Sequence, residues 1–332
     1  MPLDVERKSY KPFEYPWAYE AWKKQQQIHW LPEEVPLDVD IRDWKSKLNQ
    51  GEKGLLTHIF RFFTQADIDV NDCYMTKYAN VFKPTEVKMM LAAFSNMETV
   101  HVAAYSHLID TIGMPDTTYL EFLEYKEMKD KYEYVRQFSN ETPHDTALTM
   151  AAFGAFTEGM QLFASFAMLM NFQRFGKMRG MGQIVAWSVR DETLHCNSII
   201  RLYHDYVKEN WANIDKPLLE REIYDVCQEM VKHEDAFVDL AFGMAEIEGM
   251  TADDVKAYIR HIANRRLDQL QLSKDFQRFE IAENPLPWMD EVLNGLEHTN
   301  FFENRSTEYS KGSMQGTWDD AWQTFTDMKE AA

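Results

Sequence analysis

The sequence predicts an all-α chain, a helical bundle closed around a buried polar cluster. Three observations predict it. Apolar residues recur at helical spacing from Gly51 onward, and no stretch alternates as a half-buried strand does. Two long apolar helical patterns each carry Glu-x-x-His, as Glu98–His101 and Glu192–His195. Each motif is preceded, 31 and 34 residues upstream, by an acid deep in another apolar helix, Asp67 and Glu158.

Positions three apart share one face of a helix, so Glu98 and His101 project together. Their neighbours Met89 to Phe94, Met97, Val100, Ala103 and Ala104 are apolar almost all round, which marks a buried helix. A buried Glu needs a partner to offset its lost hydration, and a metal ion is one that carboxylate and imidazole both ligate. The spacing alone is weak. With 29 Glu and 10 His in 332 residues, about one Glu-x-x-His arises by chance, and three are present. Glu141–His144 encloses Pro143 among polar residues, at a loop or helix start, and is taken as the chance one.

Taken singly, each remaining acid or histidine reads as readily as a satisfied core group. Taken together they match a known arrangement: two Glu-x-x-His helices and one carboxylate from each of two others form a di-metal centre inside a four-helix bundle. The predicted ligands are Asp67, Glu98, His101, Glu158, Glu192 and His195. Four acids and two histidines suit iron or manganese better than thiolate-preferring zinc. Asp191 points about 100° away from Glu192, placed to accept the second N–H of a metal-bound histidine. Tyr105 lies one turn beyond His101, and by itself reads as a core tyrosine with a bonded hydroxyl.

In chain order, prolines keep residues 1–16 irregular and a short helix follows from Tyr19 to Gln27. The stretch HWLPEEVPLDVD is extended, with Trp30 by itself a core anchor, and Asp40 to Asn49 forms a short helix. A helix from Gly51 to Val81 shows Leu55, Leu56, Ile59, Phe62 and Phe63 on one stripe and carries Asp67. The next runs from Pro84 to Ile112 and ends at Gly113-Met114-Pro115. Thr117–Phe138, dense in Glu, Lys and Tyr, predicts a solvated outer helix. Asp145–Phe175 is the least polar stretch, with Glu158 in its middle. After a turn at Gly176–Gly182, Gln183–Val207 carries Glu192 and His195. Two more helices span Asp215–Gly249 and Thr251–Glu280, and the NPLPW run at 284–288 ends regular packing. Trp318, Trp322 and Phe325 in a polar context make residues 305–332 a flexible tail that folds onto a partner.

A net charge of −19 argues against binding nucleic-acid phosphates or anionic membranes. Three unpatterned cysteines, Cys73, Cys196 and Cys227, point to a reducing cytoplasm. The N-terminus lacks the apolar core of a signal peptide, and the most apolar run, Leu162–Met170, is too short to span a bilayer.

With these residues in view, the chain resembles the small (beta) subunit of class I ribonucleotide reductase over nearly its whole length. The motifs that carry the resemblance are ADIDVN with Asp67, METVHVAAYSH with Glu98, His101 and Tyr105, TEGMQLFASF with Glu158, and VRDETLH with Asp191, Glu192 and His195. HWLPEEV at Trp30 and FFENRSTEYSKG at Tyr309 fit the two ends. The resemblance implies a ferritin-like bundle, with residues 1–50 as an arm, 51–304 as the di-metal domain and 305–332 as the docking tail. It implies that Asp67, Glu98 and His101 hold one metal, that Glu158, Glu192 and His195 hold the other, and that Glu98 and Glu192 bridge. The metals would be two Fe, two Mn or mixed Mn/Fe, with Tyr105 as a tyrosyl radical site. Asp191 would link His101 to Trp30. Trp30 and Tyr309 would then carry the oxidising equivalent to a large catalytic (alpha) subunit that reduces ribonucleotides, the small subunit itself being a homodimer. Leu162 and Ser188 depart from the bulky Phe and Ile familiar there, and a hydroxyl at 188 would wet the pocket or bond the tyrosine. The rival enzyme class is a di-iron fatty-acyl desaturase or related oxidase, which has Glu where Asp67 stands. An iron-storage bundle is disfavoured by the chain's length.

Overall fold

The computed structural model describes residues 2–6, 8–243, 247–281 and 283–293. All the described regular structure is helical, apart from one isolated bridge between Ile247 and Met250. Among the described residues no helix is long and apolar enough to cross a membrane. The described residues up to Asp290 form one compact unit.

The chain opens with α1 (Pro16–Gln27), an extended stretch interrupted by a tight turn at Pro32–Glu34, and α2 (Asp38–Arg42). Helix α3 (Gln50–Asp72) starts where Asn49 and Glu52 cap each other reciprocally at 2.9 and 3.0 Å. It continues through a wide π-type turn, Cys73–Tyr78, into the short α4 (Ala79–Val81). Its stripe of Leu55, Leu56, Ile59, Phe62 and Phe63 is buried as the spacing predicts. Helix α5 (Thr85–Ile112) packs along α3 and ends at Gly113, whose φ of +82° is the left-handed stop that glycine adopts without strain.

The expected solvated helix over Thr117–Phe138 is not one element. Two tight turns, Asp116–Tyr119 and Glu121–Glu124, precede α6 (Lys126–Arg136). Nor is α6 wholly solvated: Lys131 turns inward to a buried ion pair with Glu234. Helix α7 (Pro143–Met150) begins at a Thr142–Asp145 capping box with Pro143 in its first turn. It runs through a second wide segment, Ala151–Gln161, into α8 (Leu162–Arg174).

Helix α9 (Arg179–Glu209) starts inside the stretch expected to be a turn, because acids from the N-terminal arm hold its first N–H groups. Asp40 accepts from Gly180 and Met181 at 2.8 Å each, and Asp43 from Met178 at 2.9 Å. This is an anion at a helix N-terminus, where it stabilises most. Helices α10 (Lys216–Phe242) and α11 (Ala252–Gln269) stop short of their expected ends at Gly249 and Glu280, and helical turns resume over residues 287–293, with Met289 buried, past the run expected to end regular packing. After α11 the chain folds back, with Arg278 bonded to Asp268 and to the carbonyls of Leu272 and Phe276.

Candidate metal centre

Four helical segments bring the polar residues together: α3 supplies Asp67, α5 Glu98 and His101, the wide segment Glu158, and α9 Asp191, Glu192 and His195. All seven are buried. The wide segment approaches α9 closely because Gly154 and Gly159 carry no Cβ. A Cβ on Gly159 would lie 2.6 Å from the Cys196 sulfur, and one on Gly154 would lie 2.3 Å from Ile199.

The six predicted ligands fall into two groups, Asp67–Glu98–His101–Glu192 and Glu98–Glu158–Glu192–His195, each with its ligand atoms within 4.8 Å of one another. Glu98 and Glu192 belong to both, as bridging carboxylates must. The ligand atoms crowd one another. Nδ1 of His195 lies 2.9 Å from Glu98 Oε1, and Nδ1 of His101 lies 3.2 Å from Glu192 Oε1. Yet both oxygens of Glu98, both of Glu192, one of Asp67 and Nδ1 of His195 have no hydrogen-bond partner. Buried polar atoms are otherwise almost always paired. Buried acids and imidazoles that converge on two common points, with largely one another for partners, fit cations seated between them, so the residues present suit a dinuclear site.

The outer face of each imidazole fixes its inner face. Nε2 of His195 meets Oε1 of Gln25 at 3.0 Å, while Gln25 Nε2 donates to Asp191 Oδ1 at 3.2 Å. The amide oxygen therefore faces His195, which donates from Nε2, so that the ring in its neutral form turns its Nδ1 lone pair into the cluster. His101 places Nε2 3.3 Å from Asp191 Oδ2, the atom that also accepts from Trp30 Nε1 at 2.8 Å. Asp191 thus joins Trp30 to His101 directly and reaches His195 through Gln25. Trp187 packs on Trp30, ring centres 5.1 Å apart.

The protonation pattern follows from crowding without a cation. Burial, with the charges of Glu98 and Glu158, pushes Asp67 up to about 8 despite the two histidines. Burial and the charge of Glu98 likewise raise Glu192, and burial raises Glu158. Burial alone would depress His195, but the surrounding carboxylates lift it to about 10. Carboxylates and imidazoles here share protons that a cation would displace.

Tyr105 is buried one turn from His101, its ring 4.8 Å from that of Phe63. Its hydroxyl donates to Ser188 Oγ at 3.3 Å, and Ser188 donates onward to the Ile184 carbonyl at 3.1 Å. Of the two roles open to a hydroxyl at 188, the structure shows the bond to tyrosine. Glu141 is exposed and His144 pairs instead with Glu222 at 2.6 Å, so the third Glu-x-x-His takes no part. Tyr309 and the tail at 305–332 lie outside the described residues.

Sequence reasoning missed Gln25, Trp187 and Tyr74. Gln25 lies on the buried stripe of α1 with Ala18 and Ala21, so a polar residue on an apolar face was the available signal. Tyr74 follows Asp67 by seven, two turns along one helical face. It donates to Glu158 Oε1 at 2.6 Å.

Comparison with known proteins agrees with this architecture. The family model for the ribonucleotide reductase small chain matches residues 7–285. The probable ribonucleoside-diphosphate reductase small subunit 048L of Invertebrate iridescent virus 3 is 45% identical, covering 95% of this chain and 88% of that protein. Among solved structures, the ribonucleotide reductase R2 subunit from Clostridium botulinum aligns with a TM-score of 0.78 at 22% identity, over 86% of this chain and 91% of that one. An R2-like ligand-binding oxidase with a reconstituted Mn/Fe cofactor aligns at 0.69 and 16% identity, over 81% of this chain and 99% of that one. A small chain works with a large one, and the chain belongs to the ribonucleotide reductase small chain family.

Proposed function

We propose that the chain uses a dinuclear Fe or Mn centre to generate a one-electron oxidant, stores it as a tyrosyl radical and passes it to a large subunit that reduces ribonucleotides. One observation carries the reading: two overlapping groups of buried ligand atoms share Glu98 and Glu192, with carboxylate oxygens that no hydrogen bond satisfies. Asp67, Glu98 and His101 hold one metal, Glu158, Glu192 and His195 the other. When bound, such a pair of ions supplies one-electron redox chemistry and open positions for an oxidant.

The protein's own part is to fix and isolate. Asp191 and Gln25 orient the two imidazoles, and the apolar wall of Phe63, Phe94 and Phe166 keeps water from the site. Tyr105 stores the oxidising equivalent, and Ser188 holds its hydroxyl. The Trp30–Asp191–His101 connection begins the outward route, with Tyr309 as its later station. The arm, residues 1–50, brings Gln25 and Trp30 to the centre, and the tail at 305–332 docks on the large subunit. The working form is a homodimer in the cytoplasm, in keeping with three buried, unpaired cysteines.

Metal content and turnover test this together. Wild type should bind two ions per chain and support ribonucleotide reduction with the large subunit. Glu98→Ala and Glu192→Ala should lose most of both, while Glu141→Ala loses neither. Metal binding without ribonucleotide reduction under any activating condition would favour an oxidase instead.

A further inference from the structure

Tyr105 is not the sole tyrosine at the centre. Tyr74 is fully buried, and its hydroxyl lies 2.6 Å from Oε1 of Glu158 on the opposite side, where its ring stands 6.2 Å from that of His195. Tyr105 makes its hydrogen bond to Ser188 rather than to any of the six ligands. Tyr74 therefore has the more direct connection to the proposed ligand shell. Both ends of that connection come from wide π-type segments, Cys73–Tyr78 and Ala151–Gln161, the irregularity that in helices tends to mark functional positions. Tyr74 also has a neighbour of its own kind. Tyr78 stands edge-on at 5.6 Å, followed by Phe82 at 6.1 Å and Tyr206 at a further 5.6 Å. This file of rings leads from Glu158 away from the Trp30 side of the site.

We infer that Tyr74 is a second one-electron donor to the oxidised metal centre, on the Glu158–His195 side. The inference rests on the dinuclear reading above. In the step, the Tyr74 phenol gives one electron to the oxidised centre and its proton along the hydrogen bond to Oε1 of Glu158. The products are a neutral tyrosyl radical, a centre reduced by one electron and a protonated Glu158 carboxyl. A short hydrogen bond to a carboxylate gives the proton an acceptor without solvent. The buried position shields the radical from reductants, and Tyr78 is the next site for the electron vacancy. A residue that only positioned Glu158 would need a donor, but not one that can be oxidised.

The test is paramagnetic resonance on activated protein, with metal content measured on the same samples. Tyr105→Phe should keep two metals and still give a tyrosine-derived radical signal, narrowed when the protein is grown on ring-deuterated tyrosine. Adding Tyr74→Phe should abolish that residual signal while metal content holds. Should Tyr74→Phe fail to fold or load metal, fluorotyrosine installed at position 74 of Tyr105→Phe keeps the hydroxyl. It should add a fluorine splitting to the signal. A Tyr105→Phe protein with two metals and no tyrosine radical overturns the inference, as does a signal that survives loss of Tyr74 or lacks the fluorine splitting. Wild type that binds no metal pair would instead overturn the dinuclear reading beneath it.

Discussion

Lys131 and Glu234 form an ion pair between α6 and α10 with side chains 1% and 0% exposed. Replacing Lys131 by Met keeps the volume and removes the charge. Glu234 then keeps only its hydrogen bond with Gln161, where burial already raises its pKa. It escapes by taking a proton, so the cost at pH 7 is capped at about 1.4 kcal/mol for each of the roughly three units above an ordinary glutamate pKa. That is about 4 kcal/mol, within the range for removing one partner of a buried pair. In this variant the native state binds the extra proton, so stability falls as pH rises, by about 1.4 kcal/mol per unit above about pH 5. Glu234→Gln is the mirror image. Burial lowers the Lys131 pKa, the unfolded state binds the extra proton, and stability rises with pH until lysine titrates in the unfolded chain. Its cost is smaller by about 1–2 kcal/mol, because the rings of Phe62 and Phe237 still hold the ammonium at 3.6 and 4.4 Å. The double replacement Lys131→Met/Glu234→Leu should be near wild type or more stable. Urea midpoints of metal-free protein at several pH values measure all three. PH slopes of the same sign in the two single variants would refute the reasoning.

Three further outcomes follow from the centre. Metal loading must release protons, since the surrounding carboxylates hold His195 near 10 against the effect of burial, and burial holds Asp67 near 8. Affinity should therefore rise with pH, and titration calorimetry in buffers of different ionisation heat should show net proton release; a pH-independent affinity contradicts this. Asp191→Ala removes the acceptor shared by Trp30 and His101. It should weaken metal binding by about 10–100-fold, measured by competition with a chelator. Tyr309→Phe should leave metal and large-subunit binding unchanged yet support little turnover, whereas deleting residues 312–332 should weaken association and spare the centre. Equal turnover by Tyr309→Phe at saturating large subunit rules the relay role out.

The helices and the buried cluster of four acids and two histidines were legible for one reason. An acid in the middle of an apolar helix has no inexpensive explanation, and four such acids with two histidines narrow the explanations to one. Its supporting groups were harder to read. Gln25 reaches His195 across 170 residues of sequence, and Asp40 reaches Gly180 across 140, so nothing local marks either contact. Lys131 hides among the exposed charges of α6, and only its partner on α10 reveals which lysine turns inward. The wide segment around Glu158 leaves only Gly154 and Gly159 as traces, since an enlarged helical turn has no composition of its own. Tyr74 was readable from its seven-residue spacing to Asp67, but the resemblance drew attention to Tyr105.

The central claim is that six side chains hold two ions bridged by Glu98 and Glu192. Anomalous diffraction from crystals of metal-loaded protein, collected at the metal's absorption edge, tests it most directly. Two peaks should appear, about 3.5–4 Å apart, one beside Asp67 and His101 and the other beside Glu158 and His195. A single peak, or density outside this cluster with the six side chains unmoved, would contradict it.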